Sequence, residues 1–249
     1  MDHSLLLMVA GFLAGGMNAL AGGGSFVTLT ALVFAGVPSV SANASSTIAL
    51  YPAGIASAWV YRRGIGQVCG VPLRPTLAAT LVGGFLGAML LLSTPNATFD
   101  RVLPWLLLVA TVVLICGPRL GPAVRARFRA GLPIVLPIQL LLGVYGGYFG
   151  GAVGIMMMAA WGLLDSADLK ALNPPRTLLV TAANSIAVLC FVIAGIVHWP
   201  EALLVGAGAI GGGYGGAHAG RRLPATLIRA ATILLAATMT ALFFVRGYR

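Results

Sequence analysis

Charge is what this chain lacks most. Only 8% of its 249 residues are Asp, Glu, Lys or Arg, while 59% are apolar. A soluble domain carries about 25% charged residues, so too few polar groups are present here to coat a water-soluble globule. Disorder is excluded by the same numbers, because disordered chains are poor in apolar residues and rich in charge. The five acidic residues, Asp2, Asp100, Asp165, Asp168 and Glu201, all fall in loops or at the ends of apolar runs. No carboxylate is therefore available for the usual mid-membrane proton or sodium relay. His218, late in its apolar run, is the other candidate relay residue. The three cysteines, Cys69, Cys116 and Cys190, match no metal or redox spacing. No cofactor is implied. A period-2 alternation, which a transmembrane barrel requires, is also absent. The opening MDHSLLLMVAGFLAG has no basic region, so the first helix, not a cleaved leader, is expected to target the chain.

Long apolar runs are plentiful. Residues 4–36, 43–61, 72–92, 100–116, 132–164, 174–196, 200–219 and 224–246 are separated by loop signals. The fold class is all-α, a polytopic transmembrane helical bundle. Fourteen of the fifteen basic residues are Arg, gathered in short loops. That is the signature of cytoplasmic loops, not of a nucleic-acid surface.

The two halves repeat. Gly11, Gly15 and Gly22 recur as Gly143, Gly147 and Gly154; Asn43 and Thr47 recur as Asn173 and Thr177. Gly83, Gly84, Gly87, Thr98 and Arg101 recur as Gly211, Gly212, Gly215, Thr226 and Arg229. Each change of register falls between segments, where deletions are tolerated. The expected organisation is a first repeat over 1–116, a basic cytoplasmic linker over 117–131, and a second repeat over 132–249.

Charge orients the repeats. If all eight segments span from a cytoplasmic N-terminus, nine basic residues lie inside and six outside. If 4–36 and 132–164 each enter and leave by one face, twelve lie inside and three (Arg101, Arg246 and Arg249) outside. The second count favours two inverted repeats of about four segments, the first segment of each broken or re-entrant. A long tilted helix with a glycine kink fits the same lengths.

The glycine clusters inside those long segments free backbone groups that lipid cannot satisfy. Two half-helices starting there would aim N–H groups at the protein centre, favouring an anion. Close helix packing is the other use of such glycines. Gly22, Gly23, Gly24 and Ser25 form the first candidate cluster, and Gly150, Gly151 and Gly154 the second. Asn43, Ser46 and Thr47, with Asn173, Arg176 and Thr177, start the helix after each cluster. There Asn43 and Asn173 read as N-caps and Pro174 as a first-turn residue. Asn184, mid-segment, is expected to face the interior.

GFLAGGMNALAGGGSF, ANASSTIAL, the basic linker, GVYGGYFGG and GGGYGGAHAGRRLP resemble the TauE/SafE sulfite-exporter family over essentially the whole chain. The resemblance implies a permease of the bacterial inner membrane that moves sulfite, sulfoacetate and other small sulfur-containing or organic anions. It maps Gly22–Ser25 and Gly150–Gly154 onto the family's repeated glycine-rich motif, although Ile155 and Met156 stand where that motif often continues with Gly. The expected partners are a small anion and the bilayer, with a homodimer as a further assembly and no nucleic acid. Two other readings are an intramembrane hydrolase pairing Ser25 with His198 or His218, and a membrane scaffold or assembly factor.

Overall fold

A computed structural model describes residues 3–20, 23–62, 66–127, 131–151, 153–165, 169–220 and 225–248. Among these are ten helices: α1 (His3–Leu20), α2 (Gly24–Phe34), α3 (Ser39–Tyr61), α4 (Leu73–Leu92), α5 (Asn96–Arg127), α6 (Leu132–Phe149), α7 (Val153–Leu164), α8 (Leu169–Ile193), α9 (Trp199–Gly220) and α10 (Ala225–Gly247). Eight apolar segments give ten helices because the two long ones each divide at their glycine cluster.

Burial is distributed as lipid demands. Thr28, Ser45, Thr76, Thr80 and Gln139 are 0% exposed, while Ile193 is 77% and Leu141 68% exposed. Water would reward the opposite arrangement; hydrocarbon rewards this one, because it offers polar groups no partner. Leu73–Leu92, Asn96–Val113, Leu132–Phe149 and Leu172–Ile193 are each long and apolar enough to cross a bilayer. The protein is an integral membrane protein.

Both broken segments are hairpins rather than kinked rods. The Trp161 Nε1–H of α7 donates to Gln139 Oε1 of α6 at 3.2 Å, across 22 residues of chain. A continuous helix would separate those residues by about 33 Å. In the first hairpin Gly24 lies against the Ala14 carbonyl, ten residues back. At 11 and 12 residues, α2 and α7 are only about 16–18 Å long, too short to cross a core of about 30 Å.

The halves exchange contacts. α1 packs on α9 and α6 on α4, so the first helix of each half lies on the fourth helix of the other. Likewise α2 touches α10 and α7 touches α5. The α1·α9 and α4·α6 seams are parallel and backbone-close. Gly11 and Gly15 meet Val205 and Ala209, while Gly83 and Gly87 meet Leu140 and Val144. A Cβ at any of these four positions would overlap a facing backbone carbonyl. These glycines serve packing.

Two helix pairs, α3 with α8 and α5 with α10, run antiparallel where they meet. The Tyr51 and Ser185 hydroxyls share a hydrogen bond of 2.7 Å, and Thr181 Oγ1 donates to the Gly54 carbonyl at 3.1 Å. Numbers thus rise along α3 as they fall along α8. On α5 and α10, Thr111 meets Thr240 and Trp105 donates to the Tyr248 hydroxyl, again in opposite order.

The stretch expected as a basic linker is helical as far as Arg127, the continuation of α5. At 32 residues, α5 is about 48 Å long and overshoots a bilayer core.

Candidate functional site

Where α3 crosses α8 the contact is polar. Along both helices hydroxyls bond back one turn: Thr47 to the Asn43 carbonyl, Thr177 to Asn173, Thr181 to Thr177 and Ser185 to Thr181. Back-bonding satisfies a hydroxyl without a second helix, so it tolerates an apolar surround. Asn184 differs: its Oδ1 is buried and accepts no hydrogen bond from the described residues.

The second hairpin brings its tip to α3. Asn43 Nδ2–H donates to the Tyr148 carbonyl at 2.9 Å, in the last turn of α6. Gly150 follows with φ +68° and donates to the Gly146 carbonyl at 2.7 Å. This left-handed cap ends the helix where only glycine is unstrained. A Cβ on Gly150 would also stand 2.7 Å from Thr47 Oγ1. Gly151 is buried against the Phe149 ring.

Asn43 is therefore not the N-cap of its own helix, as the sequence suggested. α3 begins four residues earlier at Ser39, capped by Pro38, and Asn43 caps a carbonyl of the opposite half. Asn173 is likewise inside α8, which starts at Leu169, and Pro174 lies beyond the first turn. Pro175 follows it, and the helix continues through both.

Gly22 lies outside the described residues. Gly23 is buried and precedes α2 without a side-chain cap; Gly24 sits beside Ala14 and Asn18. Ser25 is half-buried, and its carbonyl accepts from Thr28 Oγ1 at 3.3 Å. Ser46 is 2% exposed and shares a hydrogen bond of 2.5 Å with the Thr28 hydroxyl. Arg176 lies along Gly154, where a Cβ would stand 3.7 Å from its Cδ.

The two tips meet through Phe26 and Phe149, both 2% exposed, with ring centroids 6.4 Å apart. Tyr145 adds an edge-on contact to Phe149 at 5.7 Å. Sequence reasoning passed over both phenylalanines. The signal was their place, one directly after GGGS and one directly before GG. Gln139 was also missed; it donates to Thr80 Oγ1 at 2.8 Å and ties α4, α6 and α7 together.

The structure does not bring Ser25 to either histidine. The His198 ring lies 3.9 Å from Glu201 in the α8–α9 turn, and His218 bonds the Tyr214 carbonyl at 3.1 Å. A cavity of about 480 Å³ opens at that turn, lined by Ser41 and residues 195–200. None of the glycine-cluster residues borders it.

The model of the sulfite exporter TauE/SafE family matches residues 7–243. The chain belongs to the TauE/SafE family. Among curated proteins it is 29% identical over 242 residues to the probable membrane transporter protein YfcA of Escherichia coli K12, covering 95% of this chain and 87% of that one. It is 27% identical over 243 residues to a probable membrane transporter protein of Haemophilus influenzae, covering 96% and 94%. No solved structure matches. As a TauE/SafE protein it is a membrane transporter. The matched span takes in both hairpins and the α3·α8 crossing.

Proposed function

We propose that this transporter moves a small anion, a sulfur-containing oxyanion or organosulfonate such as sulfite or sulfoacetate, by alternating access at a site between two inverted repeats. The carrying observation is the meeting of two glycine-broken hairpins from opposite halves beside α3 and α8. Each return helix starts there, at Gly24 and Val153, and a helix start directs N–H groups and the positive end of its dipole at an anion. Gly22, Gly23, Gly24, Ser25, Asn43, Ser46, Thr47, Gly150, Gly151, Gly154, Asn173, Arg176, Thr177 and Asn184 are the proposed binding set. An organic cation would need an acidic partner, and all five carboxylates stand at segment ends or in loops. Neutral donors also bind weakly enough to let an ion leave.

Inversion is supported by the antiparallel pairing of equivalent helices, α3 with α8 and α5 with α10. Helices related by a twofold axis run oppositely only when that axis crosses them, as in inverted-repeat transporters. The arginine-rich ends, with the 117–131 linker, then face the cytoplasm across a bacterial inner membrane. The test is flux in proteoliposomes of sulfite and a sulfonate against a matched organic cation. Anion flux is expected; cation flux without anion flux overturns the proposal.

A further inference from the structure

Repeat-equivalent positions carry equivalent places in the fold but not equivalent charge. The shift of 130 that relates Asn43 to Asn173 and Thr47 to Thr177 relates Ser46 to Arg176. Their placement is symmetric about the α3·α8 crossing. Ser46 lies five residues before Tyr51, which bonds Ser185, and Arg176 five before Thr181, which bonds Gly54. Five helical residues are about 7.5 Å. Since α3 and α8 are antiparallel, the two side chains stand on opposite sides of the crossing.

What surrounds them differs. Ser46 is sealed under α2, its hydroxyl shared with buried Thr28. Arg176 is half-buried, beside Val180 and Gly154 on α7 and near Tyr61 at the end of α3. Gly154 has no side chain to fill the space, and a Cβ there would stand 3.9 Å from Nη1. Among the described residues no carboxylate or other acceptor pairs with this guanidinium. A half-buried cation on a membrane helix without a partner is uncommon, because desolvation disfavours it until an anion arrives. Its planar fork suits the paired oxygens of a sulfur oxyanion or sulfonate.

We infer that Arg176 makes the anion site one-sided: open towards the start of α8, the site grips the anion with a charged fork, and open towards the start of α3, it holds it with neutral donors alone. The inference rests on the anion-transport reading and adds which face binds tighter and why. Passive equilibrium is unchanged, so the tighter face also carries the slower maximal rate.

The experiment is zero-trans flux of sulfite from each face of oriented proteoliposomes. The wild type is expected to half-saturate at a lower concentration on the face carrying the start of α8. Arg176→Gln is expected to raise that constant about tenfold, as loss of a charge-assisted hydrogen bond does, and to leave the opposite constant unchanged. Arg176→Lys keeps the charge without the fork and falls between; it carries the test if the Gln variant does not fold. Equal constants on the two faces of the wild type overturn the inference alone, as does an equal rise on both faces in the variant. Absence of sulfite and sulfonate flux from either face of the wild type overturns the transport reading, and this inference with it.

Discussion

Asn43 is polar, sits in the second turn of its helix and is 2% exposed, a place where an apolar side chain would cost less to bury. Its amide donates to the Tyr148 carbonyl, one of the last carbonyls of α6, which the ended helix leaves without a partner. Asn43→Ala removes the donor and leaves that carbonyl unpaired in an apolar surround. The expected cost is about 1–3 kcal/mol, read as a lower unfolding midpoint in detergent. Cys69 illustrates a different control. It has φ +50° in the turn between bridged Val68 and Val71, is buried, and its Sγ faces the Trp161 carbonyl. Burial, with Asp165 adding a smaller effect, pushes its thiol up to about 12. Raised above its unfolded value, the thiol holds its proton more tightly when folded. Its contribution to stability is thus complete at neutral pH and falls as pH climbs towards that value. In a protein with Cys116 and Cys190 replaced by Ala, maleimide labelling of Cys69 should be negligible at neutral pH and should appear only on unfolding or in strong base. Rapid labelling of the folded protein at neutral pH would contradict this placement.

At the scale of elements, two kinds of contact hold the hairpins. Backbone-close glycine seams join α4 to α6 and α1 to α9, and the Phe26–Phe149 contact joins the tips. A side chain at Gly87 meets the Val144 carbonyl and the Tyr148 amide of α6, rigid backbone that cannot rotate away. Gly87→Val must therefore push α4 and α6 apart, at a cost at or above the 1–3 kcal/mol typical of overpacking. The variant should lose folded yield, while Gly66→Val, with open space around it, should not. Phe149→Ala empties a fully packed position and is expected to cost about 3–5 kcal/mol. Retention of the wild-type unfolding midpoint by Phe149→Ala would remove the tip contact from the account.

For the whole molecule the decisive property is which ends share a face. The end of α3, the turn at 66–72, the end of α5 and the start of α8 lie at one end of the bundle, by the antiparallel order of α3 with α8 and α5 with α10. The starts of α3 and α5 lie together at the other end, where Asn96 Oδ1 accepts from the Val40 amide at 3.0 Å and Ser39 bonds Asp100. Gln67 and Asn96 are both exposed, so each can report its face. In a cysteine-free protein, Gln67→Cys should react with an impermeant thiol reagent only from the cytoplasmic side, and Asn96→Cys only from the outside. Reaction of both from one side would show that α4 does not cross the bilayer.

Sequence alone determined the class and the punctuation. Scarce charge and long apolar runs leave lipid as the solvent, and glycine clusters mark where helices cannot continue, because both are local properties of composition and backbone. The recurrence of Asn, Thr and Gly in order is likewise the ground for proposing two related halves, and it needs no coordinates. Tertiary structure alone decided what those residues touch. Whether 4–36 was a kinked rod or a hairpin turned on a contact between Gly24 and Ala14, which length and hydropathy do not encode. Asn43 looked like a cap and is one, yet of a helix in the other half, because the halves exchange partners and its acceptor is 105 residues away. The phenylalanines at the tips were invisible for the same reason: in an apolar chain any one ring resembles any other until another half of the molecule closes on it. Local chemistry is written along the chain, whereas pairing across the bundle arises only when ten helices have competed for the same buried surface.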